Sequence, residues 1–200
     1  MSPDDANLRL VKLADVQREI VDADLLLFRS RGVIASAGRS VYSHAAKAAW
    51  WGDDLFCLEV REFKGGRGVT LLSQVQRFPG RIDVYEVNPD NRWPEYNRHN
   101  ATHVMRQFAG CEYGWWNVLL LSLRHAPLVR WLVKPRLADD YAVLSGAAIR
   151  GNPPFCSQAC ATADRLGGGV DPVPELADRQ TEPADLARSE LYRYQFTLIP

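Results

Sequence analysis

Gly151-Asn152-Pro153-Pro154-Phe155-Cys156-Ser157-Gln158-Ala159-Cys160-Ala161-Thr162-Ala163 decides how this chain is read. Asn152, Pro153 and Pro154 stop whatever precedes them, and the small-residue run that follows is helix-forming. Cys156 therefore falls in the first turn of a helix, where unpaired N–H groups and the positive end of the dipole favour a thiolate. The thiolate is the nucleophilic form, and a helix N-terminus can lower a cysteine pKa to about 3.5–7.5. Cys156 taken alone is better read as a buried structural cysteine. A nucleophile also needs a base and a group to orient that base.

Four histidines are available as a base: His44, His99, His103 and His125. His99 and His103 share a helical spacing, but no glutamate lies between them and no third ligand is evident. Two partly exposed polar helix residues is the better reading, and no metal site is expected. His125 lies beside Arg124 in a Leu-rich stretch and reads as an exposed side chain. His44 follows a polar loop and precedes the strand Leu55-Phe56-Cys57-Leu58-Glu59-Val60. A lone acid in so apolar a strand is costly to bury unless it is paired. An imidazolium from His44 would make the burial of Glu59 tolerable.

Composition sets the outer bounds. The 200 residues suffice for one domain, and the formal net charge of zero opposes nucleic-acid binding. Cys57, Cys111, Cys156 and Cys160 form no CxxC pair, so reduced cysteines are expected. The acidic N-terminus lacks a signal-peptide pattern, and Leu25 to Phe28 is too short to span a bilayer. These features predict a cytoplasmic protein.

Periodicity predicts a helix over residues 8–20, a buried strand at 25–28 and a strand at 55–60. Gly65-Gly66-Arg67-Gly68 reads as a hairpin link leading into a strand at 68–72. Residues 82–87 alternate as a half-exposed strand. Residues 95–109 form a helix that buries Ala101, Val104, Met105 and Phe108, closed by Gly110-Cys111-Glu112-Tyr113-Gly114. Residues 115–150 read as a helical insert or lid. The helix after Cys156 runs to about Leu166 and stops at Gly167-Gly168-Gly169. The tail is extended, with a last strand at 192–198.

Asp24-Leu25-Leu26-Leu27-Phe28-Arg29, Ser43-His44-Ala45, Leu58-Glu59-Val60 and Phe155-Cys156-Ser157-Gln158, in that order, resemble the YiiX/YebB-like (DUF830) branch of the NlpC/P60 superfamily. The helix end at 110–114 and the late segments at 171–174 and 182–189 are similar too. The resemblance spans roughly residues 20–190. It implies an α+β, circularly permuted papain-like fold with an antiparallel sheet or barrel packed against helices. Residues 1–200 would form a single domain. By the same resemblance Cys156 would be the nucleophile, His44 the general base and then acid, and Glu59 the orienting group. The backbone N–H of Cys156 would be an oxyanion donor, with Tyr42 and Ser43 as weaker substrate contacts.

The implied activity is that of a cysteine amidase or peptidase acting through a thioester on small peptides such as cell-wall fragments, with no cofactor. A lipid-directed acyltransferase or esterase of the lecithin–retinol-acyltransferase-like branch is an alternative. The apolar surface for it would come from Trp115, Trp116, Leu119, Leu120, Leu121, Leu128, Trp131, Leu132 and Val133. Core packing or a homodimer contact explains that stretch better, because no basic face accompanies it. A non-catalytic binding module on the same fold is the third reading. Arg29, Arg31, Arg39, Lys47 and Arg61 could meet a substrate carboxylate, but solvated surface charge is their expected role.

Overall fold

A computed structural model describes residues 8–30, 40–124, 138–139 and 141–200, excepting the side chains of 120–124. Its frame is a seven-stranded sheet of order β1-β7-β6-β2-β3-β4-β5. The strands are β1 (Leu10–Lys12), β2 (Leu25–Arg29), β3 (Tyr42–Trp51), β4 (Asp54–Arg61), β5 (Gly65–Thr70), β6 (Arg81–Val87) and β7 (Tyr192–Ile199). Every pairing is antiparallel except β1 with β7. The α-helices are α1 (Leu13–Val16), α2 (Leu71–Arg77), α3 (Arg98–Gln107), α4 (Trp115–Arg124), α5 (Gly146–Gly151), α6 (Cys156–Thr162) and α7 (Pro183–Arg188). The fold class is therefore α+β, as expected. None of the described helices is long and apolar enough to cross a membrane.

Strand β2 lies in the middle of the sheet and is covered on both sides. Leu25 and Leu27 face a core shared with α3, α6 and α7, while Leu26 and Phe28 face a smaller core with α1 and α2. This two-sided burial explains why its sequence is a continuous apolar run rather than an alternation. Each of these side chains contributes about 1.5–3 kcal/mol by leaving water. Strand β6 is also buried on both faces and not half exposed as its alternation suggests. Its polar position Asp83 is satisfied inside, accepting from Arg29 Nε, the Tyr42 hydroxyl and Thr197 Oγ1, each at 2.7 Å.

Helix α6 is seated at both ends. Ala45 and Ala49 of β3 present little bulk to it, which permits close packing. Beyond Thr162 it continues as a π-helical turn, Ala163–Gly168, carrying Asp164. Lys47, fully buried on β3, gives hydrogen bonds to Asp164 Oδ1 (2.8 Å), the Tyr192 hydroxyl (2.7 Å) and Ala23 O (3.0 Å). Tyr96 and Tyr192 also donate to Asp164. Lys47 is thus a structural ion-pair residue and not a solvated charge, and so is Arg29. Arg31 and Arg39 lie outside the described residues.

Several local expectations are corrected. Residues 10–12 are a strand because β7 offers them a parallel edge, and only 13–16 are α-helical. The Gly65–Gly68 link is itself the start of β5, and the turn is Glu62 to Lys64. Its glycines answer close packing: a Cβ on Gly66 would stand 1.8 Å from Phe108 O. Residues 71–77 are helix, and the tail includes α7. Helix α3 starts at Arg98 because Asn97 caps it, accepting from Asn100 N–H at 2.9 Å. It buries Ala101, Val104, Met105 and Phe108 as expected. The 115–150 stretch contains α4 and α5, while most of what joins them falls outside the described residues.

Gly66→Ala is expected to destabilise the protein by about 1–3 kcal/mol through overpacking, read from the urea midpoint. Gly151→Ala, where a Cβ meets nothing within 4 Å, should shift stability by no more than about 1 kcal/mol.

Candidate active site

The ladder between β3 and β4 runs from the Trp51–Asp54 pair to the Lys47–Leu58 pair. His44 and Glu59 lie just beyond its end, where the two strands no longer pair. Their side chains meet there, with His44 Nε2 2.7 Å from Glu59 Oε2. The imidazole is held edge-on to Phe28, ring centroids 5.0 Å apart. Glu59, 2% exposed, is held from the other side by Arg67, whose Nε and Nη2 donate to Oε1 at 2.9 and 2.6 Å. Arg61 Nη1 stands 3.5 Å from Oε2. Burial alone would raise the Glu59 pKa. His44 and the two arginines outweigh it and hold the carboxyl near 2.

Cys156 is the first residue of α6, as expected, and is fully buried. Its position follows from local ties. The Phe155 N–H donates to Gln158 Oε1 at 3.4 Å, and Asn117 Nδ2 bridges to Gln158 Oε1 and Pro153 O. Gly114 N–H donates to Pro154 O at 3.0 Å, and a Cβ on Gly114 would lie 2.2 Å from Pro153 O. No side chain larger than hydrogen fits there. The 113–114 segment is thereby locked against the two prolines that precede the cysteine.

Cys156 and His44 are electrostatically linked. Burial disfavours the thiolate, but hydrogen bonding to His44, its charge, and backbone N–H groups of Ala45 and Ser157 prevail, so the thiol pKa is lowered. Burial likewise disfavours the imidazolium, yet Cys156 and Glu59 together raise His44 to about 9. With Nε2 on Glu59, the ring nitrogen left for the sulfur is Nδ1. The arrangement favours a thiolate–imidazolium pair with Glu59 behind it. The other cysteines differ: burial raises the pKa of Cys57, Cys111 and Cys160.

Tyr42 and Ser43 are engaged elsewhere. Tyr42 donates to Asp83 and shares a 2.8 Å hydrogen bond with Tyr85, and Ser43 bonds Ser30 Oγ and Phe28 O. The hydroxyls expected to be weak substrate contacts thus already have partners within the protein. His99 and His103 are exposed on α3, as expected, and His125 lies outside the described residues.

Two site residues went unread in the sequence. Arg67 is the direct cross-strand partner of Glu59 in the β4–β5 ladder. An opposite-charge pair eight residues apart across a short turn was its signal, hidden by reading the glycines as the turn. Tyr113 is 6% exposed, its hydroxyl has no hydrogen-bond partner among the described residues, and it lies close enough to Cys156 to feel its charge. Burial, Cys156 and Glu62 all raise its pKa, so it stays a neutral O–H donor. Nothing in the linear sequence ties it to Cys156.

No family model and no curated protein matches this chain. Among solved structures, yiiX from Escherichia coli O157:H7, described as a metalloprotein of DUF1105, matches with a TM-score of 0.59. The match covers 90% of this chain and 99% of that one, at 11% sequence identity. The chain shares the YiiX fold. No group of three or more His, Cys, Asp or Glu side chains able to hold a metal ion occurs among the described residues. At His44 and Glu59 the two donors are bonded to each other and two guanidinium groups flank the carboxylate, which does not fit a bound cation.

The shifts set a stability window. The raised His44 pKa stabilises the fold fully below its ordinary 6.5, and this is lost as pH rises through about 9. The lowered Glu59 pKa stabilises above its ordinary 4.5, and this is lost as pH falls through about 2. Glu59→Gln should cost about 3 kcal/mol at pH 6, since it leaves a charged neighbour unpaired, and markedly less near pH 2. Denaturant unfolding at the two pH values checks this.

Proposed function

We propose that this chain is a cysteine hydrolase of the permuted papain-like (NlpC/P60) type, an amidase or peptidase acting on small peptides. The observation that carries this is the chain of contacts Glu59–His44–Cys156, with the imidazole bonded to a buried carboxylate at 2.7 Å and the thiol pKa pulled down by the imidazole. The order histidine, acid, cysteine along the chain and the shared YiiX fold support it. Structural burial alone gives no reason for a carboxylate, an imidazole and a thiol to be placed in this sequence of contacts.

In this reading the Cys156 thiolate attacks the substrate carbonyl carbon, forming the C–S bond as the carbonyl oxygen takes the electron pair. The backbone N–H of Cys156 and the Tyr113 hydroxyl, which has no hydrogen-bond partner among the described residues, donate to that oxyanion. The imidazolium of His44 then passes its proton to the leaving nitrogen as the C–N bond breaks, leaving a thioester. Neutral His44 next takes a proton from water, which attacks the thioester and releases the acid and the thiolate. Glu59 holds the ring and compensates its charge, and Arg67 and Arg61 hold Glu59.

Cys156→Ala is expected to abolish hydrolysis and iodoacetamide labelling, while Cys57, Cys111 and Cys160 remain unlabelled at neutral pH. Labelling at any of those three in place of Cys156 would refute the assignment. In the wild type the alkylation rate should rise less steeply between pH 6 and 8 than that of an ordinary thiol, which gains roughly 100-fold over that range. His44→Ala should restore the steep dependence. Tyr113→Phe should lower kcat by about 10²–10³, the usual cost of one oxyanion donor, with KM little changed.

A further inference from the structure

Phe63 stands in the turn between β4 and β5 at φ 59°. A bulky residue rarely adopts this left-handed conformation, because its Cβ crowds the following carbonyl oxygen. The turn holds the ring 85% exposed. It meets Trp115 with ring centroids 5.0 Å apart, and Trp115 meets Tyr113 edge to face, also at 5.0 Å. Tyr113 lies close enough to Cys156 to feel its charge. The three rings form a continuous aromatic wall leading from solvent toward the sulfur. Along it runs a groove of about 350 Å3, lined also by Lys64, Gly65 and Cys111. That size lies at the small end of ligand sites.

Resting on the hydrolase reading above, we infer that this groove takes the apolar side chain, preferentially aromatic, of the residue that supplies the scissile carbonyl of a short peptide. Aromatic walls favour an aromatic guest through edge-to-face contact. The rim carries one charge of each sign, Lys64 and Glu112, both exposed and with no ion pair among the described residues. Opposite charges beside an apolar slot suit the polar backbone and ends of a short peptide. An anionic lipid surface is disfavoured, because Glu62 and Glu112 flank the aromatic face.

The test uses N-acetyl-phenylalanine and N-acetyl-alanine chloromethyl ketones on the full chain. The Cys156 thiolate displaces chloride to form a thioether, located by peptide mass mapping. The wild type should react about tenfold or more faster with the phenylalanine reagent. Phe63→Ala and Trp115→Ala should each bring the ratio of the two rates toward one, and Phe63→Tyr should keep it high. Equal rates in the wild type, or an unchanged ratio in both alanine variants, overturn the subsite while leaving the hydrolase reading intact. Failure of iodoacetamide to label Cys156 overturns the hydrolase reading and the subsite with it. Flotation with phosphatidylcholine–phosphatidylglycerol vesicles that is lost in Phe63→Ala would assign the aromatic face to a lipid surface and also overturn the inference.

Discussion

A carboxylate buried to 2% exposure in the middle of a strand is the constraint around which the rest of this molecule is arranged. An isolated ion there would cost several kcal/mol of lost hydration. Glu59 avoids that cost by filling both oxygens, one with the His44 imidazole and the other with the forked guanidinium of Arg67. Each partner comes from a neighbouring strand, so the ion cluster fixes how β3, β4 and β5 end relative to one another. The β3–β4 ladder stops before these residues, and the opening admits the sulfur at the head of α6.

The helix that carries the sulfur is fixed as firmly as the imidazole. Lys47 and Asp164 join its far end to β3, and Gly114 and Asn117 join its near end to the chain before it. Both ties are buried and directional, so the distance between Cys156 and His44 is set by rigid parts rather than by loops. The same near-end tie brings Tyr113 beside the sulfur and aligns it with Trp115 and Phe63. One packing contact, Gly114 on Pro153, thereby links the Cys156 sulfur, the nucleophile we propose, to the groove we propose for a substrate side chain.

Sequence reasoning succeeded where a local signal had one physical cause. The Leu25–Phe28 run, the α3 face and the helix start at Cys156 each follow from apolar spacing or from proline and glycine placement. It failed where tertiary contact overrode local pattern. Residues 10–12 became strand because β7 presents an edge. Gly65 and Gly66 resemble a turn but serve a strand pressed against the backbone of Phe108 and Cys111. Lys47 looks like a surface cation because nothing in its neighbourhood announces Asp164, 117 residues away.

The sequence by itself determined that an acid in an apolar strand needed a partner and that a cysteine headed a helix, and it singled out His44 as the candidate to join them. Each conclusion rests on short-range chemistry: the cost of an unpaired buried charge, the dipole of a helix end, the order of motifs. The tertiary structure alone decided that Arg67 pairs with Glu59, that Tyr113 lies near Cys156, and that the Tyr42 and Ser43 hydroxyls have partners within the fold. Those assignments depend on which strands pair, in which register, and on where pairing stops. Such facts arise from many weak long-range contacts acting together, and no stretch of chain records them on its own.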